Sequence, residues 1–432
     1  MTDLSAIVKA YDIRGVVGDQ LDVSTVRDIG AALARLLLDE ADGADRPRRL
    51  VVGYDMRDSS PGLAAAFAEG VTGQGLDVED IGLASTDLLY FASGQLDLPG
   101  AMFTASHNPA KYNGIKLCRA GARPIGQDTG LAEIRRAVEA GVPAGPGGGT
   151  VSGSDQLAGY AAYLRELVDL SKVRPLRVVV DAGNGMGGYT VPAVLGTDSA
   201  LPIDVVPMYF ELDGTFPNHE ANPLDPANLV DLQKRVVAEG ADLGLAFDGD
   251  ADRCFVVDER GEPVSPSAIT ALVAVRELAK DPGATVIHNL ITSRAVPEIV
   301  AEHGGTPVRT RVGHSFIKQT MAETGAVFGG EHSAHYYFRD FWRADSGMLA
   351  ALHVLAALGE QDGPLSELMA DYTRYAASGE INSTVRDQSE RVAAIKAVYV
   401  GRDGVEFDEL DGLTVALPDG SWFNLRASNT EP

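Results

Sequence analysis

Apolar runs of strand length alternate along the chain with stretches of helical period. Arg49–Tyr54 (RLVVGY) reads as a buried-type strand, 62–72 as a helix and 76–81 as a second strand. A second unit opens at 177–181 (RVVVD) and includes the short apolar strand Leu243–Phe247. Residues 285–290 and 307–311 are the strands of a third unit, each followed by a helix. Repeated strand–helix units predict α/β layers with mainly parallel strands. Two stretches break the pattern. Residues 141–153 (GVPAGPGGGTVSG) carry too much Gly and Pro for a helix or strand and read as an exposed linker. Residues 258–263 (DERGEP) read as a polar turn after a strand at 254–257. No strict repeat and no low-complexity tract is present in the sequence.

Composition narrows the function classes. At 432 residues the chain is too long for one ordinary domain, and 45% hydrophobic content suffices for several cores. No apolar run is long enough for a membrane span. The N-terminal MTDLSAIVKAYDIRG lacks the pattern of a secretory signal, so a cytoplasmic location is expected. Cys118 and Cys254 stand far apart and are expected to be reduced thiols. A formal net charge of -25 repels nucleic acid and anionic lipid, which disfavours both as partners. Any phosphate site must then be a local positive island of Arg, Lys and backbone N–H groups.

Four motifs carry chemistry. The first is TASHNP at 104–109, followed by Tyr112, Asn113, Gly114 and Lys116. An apolar strand running into small polar residues places Ser106 on an exposed turn, with Lys116 as a nearby cation. The plain alternative is an Asn-Pro turn with a capping serine. No G-x-S-x-G elbow surrounds this serine, so an esterase-like nucleophile is disfavoured. The second is DGDADR at 248–253. Asp248, Asp250 and Asp252 alternate after an apolar strand, and in an extended or looped backbone they converge on one ion. Three carboxylates this close repel unless a cation is bound, and hard oxygen ligands select Mg²⁺ or Ca²⁺ over zinc. The third is GGEHSAH at 329–335, which offers Glu331, Ser333 and His335 on one side of an extended segment. Such paired donors and acceptors suit sugar hydroxyls; a surface turn is the alternative. His332 and His335 lack companions for a zinc site. The fourth is RASNT at 426–430, where Arg426 can grip a phosphate and Ser428, Asn429 and Thr430 add donors, unless it is simply a polar tail. A rival signal exists: Gly183, Gly185 and Gly188 spell a dinucleotide fingerprint with Asp204 as the acid, but Asp204 lies inside an apolar run instead of ending a strand.

Taken together, in this order, the four motifs resemble those of the α-D-phosphohexomutases, and within them the bacterial phosphomannomutase/phosphoglucomutases. KAYDIRG at 9–15 and GHSFIK at 313–318 are similar to signatures of the phosphomannomutase group. The resemblance implies three similar α/β domains and a smaller α+β C-terminal domain around a central cleft. Boundaries are expected at 1–147 (phosphoserine loop), 148–257 (metal loop), 258–367 (sugar loop) and 368–432 (phosphate loop). It implies phosphate transfer between C1 and C6 of mannose and glucose phosphates, through phosphorylated Ser106 and a hexose 1,6-bisphosphate that also serves as activator. Mg²⁺ would be held by Asp248, Asp250, Asp252 and Ser106. Arg253, Lys116, Arg14, His107 and His314 would line the transfer site, with Lys116 or His314 as general base; Lys116 would need a lowered pKa. Tyr11, Gly313, Glu331, Ser333, His335, Arg426, Ser428, Asn429 and Thr430 would hold substrate. Alternatives are a phosphoglucosamine mutase, a phosphatase, and an inactive sugar-phosphate-binding relative. Whether the chain acts as monomer or dimer is left open. Two departures stand out. Ala334 replaces the Gly of many relatives, and the chain ends where relatives continue into another strand and helix, so that the last domain looks truncated.

Overall fold

The apolar runs become the central strands of three sheets, because each is covered on both faces and must bury its side chains there. The computed structural model describes residues 4–40, 48–196 and 199–427. The first sheet runs in the order Ile13–Val16, Tyr112–Arg119, Gly100–Phe103, Arg49–Tyr54, Asp77–Leu83, Val151–Gly153, with Arg123–Pro124 paired to Tyr112–Arg119. The second runs Pro263–Val264, Cys254–Asp258, Leu243–Phe247, Leu176–Asp181, Ile203–Met208. The third runs Thr306–Thr310, Thr285–Asn289, Phe328–Gly330, Tyr336–Phe338, Ala344–Asp345. A fourth, antiparallel sheet of Glu406–Asp408, Leu413–Ala416 and Trp422–Leu425 lies beside the helix Gln388–Tyr399 and completes a small α+β unit.

The three larger sheets repeat one arrangement. In each, a strand paired in parallel on one side turns back at its carboxyl end into an antiparallel neighbour. Gly100–Phe103 returns as Tyr112–Arg119, Leu243–Phe247 as Cys254–Asp258, and Phe328–Gly330 as Tyr336–Phe338. The connecting loops carry the serine, aspartate and sugar motifs. Each holds one non-glycine residue in the left-handed region: Ser106 (φ 49°), Ala251 (φ 58°) and Ala334 (φ 65°). That conformation costs an L-residue about 1–2 kcal/mol, so three independent loops keep a local strain at the same place.

Two expectations need correction. The 141–153 segment is not wholly a linker: Val151–Gly153 pairs in parallel with Asp77–Leu83 and edges the first sheet. Its small residues fit because a Cβ at Gly149 would stand 2.1 Å from the Leu76 carbonyl oxygen. The 258–263 turn is a hairpin, since Pro263–Val264 pairs back onto Cys254–Asp258; the second sheet therefore extends past residue 257.

One apolar core runs through all three units, from Val51 to Met369, along the buried helices Thr86–Leu96, Leu157–Leu167, Pro266–Lys280 and Gly347–Gly359. At 371–427, Leu413 and Val415 alone among the described residues are buried apolar side chains. Among these residues no helix is long and apolar enough to cross a membrane.

Candidate active site

Ser106 sits where Gly100–Phe103 leaves the first sheet, 4% exposed. Its backbone N–H donates to Thr104 Oγ1 at 2.9 Å, which fixes the left-handed turn. Its hydroxyl donates to Asp248 Oδ2 at 2.7 Å, across the boundary to the second sheet. Arg253 completes a triangle: Nε donates to Asp248 Oδ2 at 2.8 Å and Nη2 to Ser106 Oγ at 3.1 Å. His107 lies against the same guanidinium. Burial, with Arg253 and Arg14 beside it, pushes the His107 imidazole well below its ordinary pKa, so it is neutral. Arg14 donates to Asn108 Oδ1 and Asp12 Oδ2, both at 2.5 Å, which ties the N-terminal strand to the serine loop.

The aspartate loop is a tight turn, closed by Ala251 N–H to Asp248 C=O at 3.0 Å. It brings one oxygen each of Asp248, Asp250 and Asp252 within 4.8 Å of one another, all three residues buried. Asp250 Oδ1 and Asp252 Oδ1 are buried without a hydrogen-bond partner. Burial, reinforced by Asp252 and Asp250, pushes the Asp248 carboxyl up to about 7 in spite of Arg253. Clustered hard oxygens short of positive charge, two of them unsatisfied, fit a divalent cation. Lys116 Nζ lies 2.7 Å from Asp250 Oδ2 and 2.6 Å from Asp252 Oδ2. Burial alone would lower the ammonium, but these two carboxylates outweigh it and hold Lys116 well above its ordinary pKa. The lowered pKa that Lys116 would need as a base is not met between these carboxylates, which hold it as a cation.

The sugar loop also differs from expectation. It is a turn, not an extended segment, closed by Glu331 N–H to His335 C=O at 3.0 Å with Ala334 left-handed. Glu331 is buried: Asn289 Nδ2 donates to Oε2 at 3.0 Å and Tyr337 O–H to Oε1 at 2.5 Å. Ser333 Oγ and His335 Nδ1 stand 3.1 Å apart, and His335 Nε2 lies 3.7 Å from Asp252 Oδ1. An isolated bridge between Arg253 and His335 joins the aspartate and sugar loops. His332 turns away to Ser267 Oγ at 2.9 Å, which leaves no zinc pair. Tyr11 reaches this side too: its hydroxyl lies 2.4 Å from where a Cβ on Gly313 would stand, and Glu331 helps raise its pKa after burial. His314 opens the helix His314–Thr324, and its side chain lies outside the description. Arg426 follows the strand Trp422–Leu425, half-buried; Ser428, Asn429 and Thr430 lie outside the described residues.

The glycine fingerprint is explained by packing. A Cβ on Gly185 would meet the Gly249 carbonyl oxygen at 2.7 Å, and one on Gly188 the Phe210 carbonyl oxygen at 2.2 Å. Close approach of the protein's own backbone accounts for glycine at both positions. Asp204 is a surface ion-pair partner of Arg177 at 3.4 Å.

Comparison with known proteins decides the family. Three models of phosphoglucomutase/phosphomannomutase alpha/beta/alpha domains match in sequence order: domain I at 5–143, domain II at 158–261 and domain III at 265–375. The chain belongs to the phosphoglucomutase/phosphomannomutase family. It is 41% identical over 434 residues to a phosphomannomutase of Salmonella montevideo, covering 98% of this chain and 92% of the relative. Identity to the phosphohexose mutases of Xanthomonas campestris pv. campestris is 42%, covering 98% and 92%. A solved phosphoglucomutase/phosphomannomutase family protein from Burkholderia thailandensis superposes with a TM-score of 0.85 at 32% identity, over 99% of this chain and 91% of the other. The chain is a phosphohexose mutase, and so an isomerase.

The structure adds residues that no motif flagged. Arg57 donates to four carbonyls of the serine loop. Thr86 Oγ1 donates to Asp250 Oδ2 at 2.5 Å. Buried Asp87 accepts from Ser85 Oγ at 2.5 Å, Tyr160 O–H at 2.7 Å and Ser346 Oγ at 2.7 Å, one hydroxyl from each of three sheet units. Asp345 offers an oxygen within 4.8 Å of ligand atoms of Asp252 and His335, and pairs with Lys318 at 2.7 Å. Polar residues in ordinary elements, with partners dozens to hundreds of residues away, leave no local signal.

Proposed function

We propose that this mutase moves phosphate between C1 and C6 of mannose and glucose phosphates, with Ser106 as the covalent carrier. One observation carries the reading: a hydroxyl on a strained turn is held between Asp248 Oδ2 at 2.7 Å and Arg253 Nη2 at 3.1 Å, beside an acidic cluster short of positive charge. Asp248, Asp250 and Asp252, with the phosphate on Ser106, would hold Mg²⁺, which when bound neutralises phosphoryl charge as a Lewis acid. The protein's own groups do the rest. The bond from phosphorus to Ser106 Oγ breaks as one forms to the free sugar hydroxyl, whose proton goes to a base. Arg253 faces the serine oxygen as it is released. The bisphosphorylated sugar turns over within the cleft, and its other phosphate then returns to Ser106 by the reverse step. Such transfers need positioning and charge neutralisation more than covalent assistance. Lys116, paired with Asp250 and Asp252, and His314 are the two candidates for that base. Glu331, Ser333 and His335 face the sugar hydroxyls, with Tyr11 and Gly313 beside them. Arg426 to Thr430 grip the phosphate that is not reacting. The four domains expected at 1–147, 148–257, 258–367 and 368–432 are retained with the first two boundaries moved later, because Val151–Gly153 pairs into the first sheet and Pro263–Val264 into the second.

Because the substrate binds in two orientations, recognition must use groups common to both, and the sugars' difference at C2 is of little weight. A side-by-side mutase assay with mannose, glucose and glucosamine phosphates tests this. Comparable turnover of the mannose and glucose compounds is expected; a strong preference for glucosamine phosphate would sink the assignment.

A further inference from the structure

We propose that Arg57 is the positioning residue that sets the shape of the serine loop, under a lid supplied by the second sheet unit. The inference rests on the reading of Ser106 as phosphoryl carrier.

Arg57 follows the strand Arg49–Tyr54, whose carboxyl end lies beside that of Gly100–Phe103. The residue is 1% exposed. Its Nε donates to Asp55 Oδ2 at 3.1 Å, and Asp55 Oδ1 is fixed by the Arg57 N–H at 3.0 Å and Ser60 Oγ at 2.6 Å. From that anchor the fork opens onto the loop. Nη1 donates to the carbonyls of Pro109 at 3.0 Å and Tyr112 at 3.1 Å. Nη2 donates to those of Ser106 at 2.9 Å and Asn108 at 2.7 Å. A guanidinium has five N–H donors in fixed directions, and all five are used here.

Besides the fork, the loop is tied to the N-terminal strand by Arg14 Nη1 to Asn108 Oδ1 at 2.5 Å and Val17 N–H to the Lys111 carbonyl at 3.0 Å. Its own backbone bonds are Asn108 N–H to Ala105 C=O and Tyr112 N–H to Pro109 C=O, both 3.0 Å. Around Ser106, the peptide N–H is held by Thr104 and the carbonyl by Arg57. Those two bonds fix the left-handed turn and so the direction of Oγ toward Asp248. Arg57 works on the carbonyl face of the loop, Arg253 on the hydroxyl face.

The lid comes from the unit that also carries Asp248. The Phe216 ring lies 5.1 Å from the Arg57 guanidinium carbon. A Cβ on Gly214 would stand 2.6 Å from Arg57 Cα, so only glycine lets this loop approach so closely. Serine loop, arginine fork and aspartate loop therefore share one frame, and a displaced fork misaligns the serine oxygen with the acidic cluster.

The test uses full-length wild type, Arg57→Lys and Phe216→Leu. Each is incubated with glucose 1,6-bisphosphate, and phosphate uptake on Ser106 is followed by intact mass, with thermal melts alongside. A lysine keeps the charge but cannot span four carbonyls. Misplacement of reacting groups by about 1 Å costs about 100-fold, so Arg57→Lys should melt as a folded protein yet phosphorylate about 100-fold more slowly. Its kcat should fall in parallel, while KM for glucose 1-phosphate stays within about threefold, because the interaction acts on the reacting centre. Phe216→Leu leaves every bond of the fork in place and should slow uptake by about threefold to tenfold. Wild-type uptake matched by a folded Arg57→Lys would overturn the inference while leaving the carrier role of Ser106 intact. A loss expressed only in KM would overturn it too. Should Arg57→Lys fail to fold, Phe216→Leu decides alone, and an unchanged rate overturns the inference. A wild type that takes no phosphate on Ser106 would sink both readings.

Discussion

Where the first sheet meets the second, Ser106, Asp248, Asp250, Asp252 and Arg253 are all under 5% exposed. Thr86 adds a buried bond to Asp250 of the second unit, and Asp87 accepts from Tyr160 of the second and Ser346 of the third. The C-terminal sheet is attached differently. It meets the third unit through Asp411 Oδ2 accepting from Val312 N–H at 3.0 Å, Arg294 donating to the Gly420 carbonyl at 2.9 Å, an Arg309–Asp408 ion pair, and Arg294 over the Trp422 ring at 6.0 Å. These contacts are exposed or half-exposed, and such pairs contribute little each. The difference teaches that the phosphoryl-transfer half of the site is built into the core before substrate arrives. The half proposed to grip phosphate rides on a body with few buried contacts, which suits an element that would loosen while the proposed intermediate turns.

The comparison breaks first at its rigid side. Ser106→Ala removes the covalent carrier and should lower mutase turnover on the order of 10⁴-fold, with KM no longer definable in the usual way. A variant with near wild-type kcat would place the chemistry elsewhere. Asp250→Asn removes one charge from the cluster without touching an apolar side chain. Turnover should drop about 100-fold to 1,000-fold while the melting temperature stays close to wild type, and a chelator should abolish wild-type activity. Full activity in chelator would remove the metal from the account.

The mobile side should respond more gently and in another parameter. Trp422→Ala loosens the C-terminal sheet by a cation–π contact of about 0.5–1 kcal/mol, so KM for glucose 1-phosphate should rise about threefold to fivefold with kcat almost unchanged. A drop in kcat with constant KM would show that this sheet acts in the chemical step. The smallest effect belongs to the strained turns. Ala334 adopts a left-handed conformation that glycine takes freely, but its methyl group is fully buried in the core. Relief of strain and loss of buried surface therefore nearly offset, and Ala334→Gly should leave stability, read from the urea midpoint, within about 0.5 kcal/mol of wild type. A larger drop would mean that the alanine methyl group is packed to advantage.

The fold was legible in the sequence wherever one run of residues decided its own environment. Arg49–Tyr54 and Leu243–Phe247 form strands at the bounds their apolar runs suggest. Val151–Gly153 did not look like a strand because its pairing comes wholly from Asp77–Leu83. The acidic motif revealed its clustering, since three aspartates two residues apart can hardly avoid one another. What it did not reveal is that Lys116 already balances two of them. The sequence marks Glu331 as a substrate-holding residue but not that Asn289 and Tyr337 already bond both its carboxylate oxygens. Arg57 and Asp87 went unread because their meaning lies in contacts 49 and 259 residues away.

The central claim, a preassembled transfer site with a mobile phosphate grip, is tested most directly by hydrogen exchange of the full chain with and without saturating glucose 1-phosphate. Peptides covering the serine and aspartate loops should exchange slowly in both states. Peptides across 388–427 should exchange fast in the free protein and become protected by ligand, most strongly around the strand Trp422–Leu425 and Arg426. Equal exchange of the C-terminal peptides in both states, or a serine loop that exchanges as fast as they do, would contradict it.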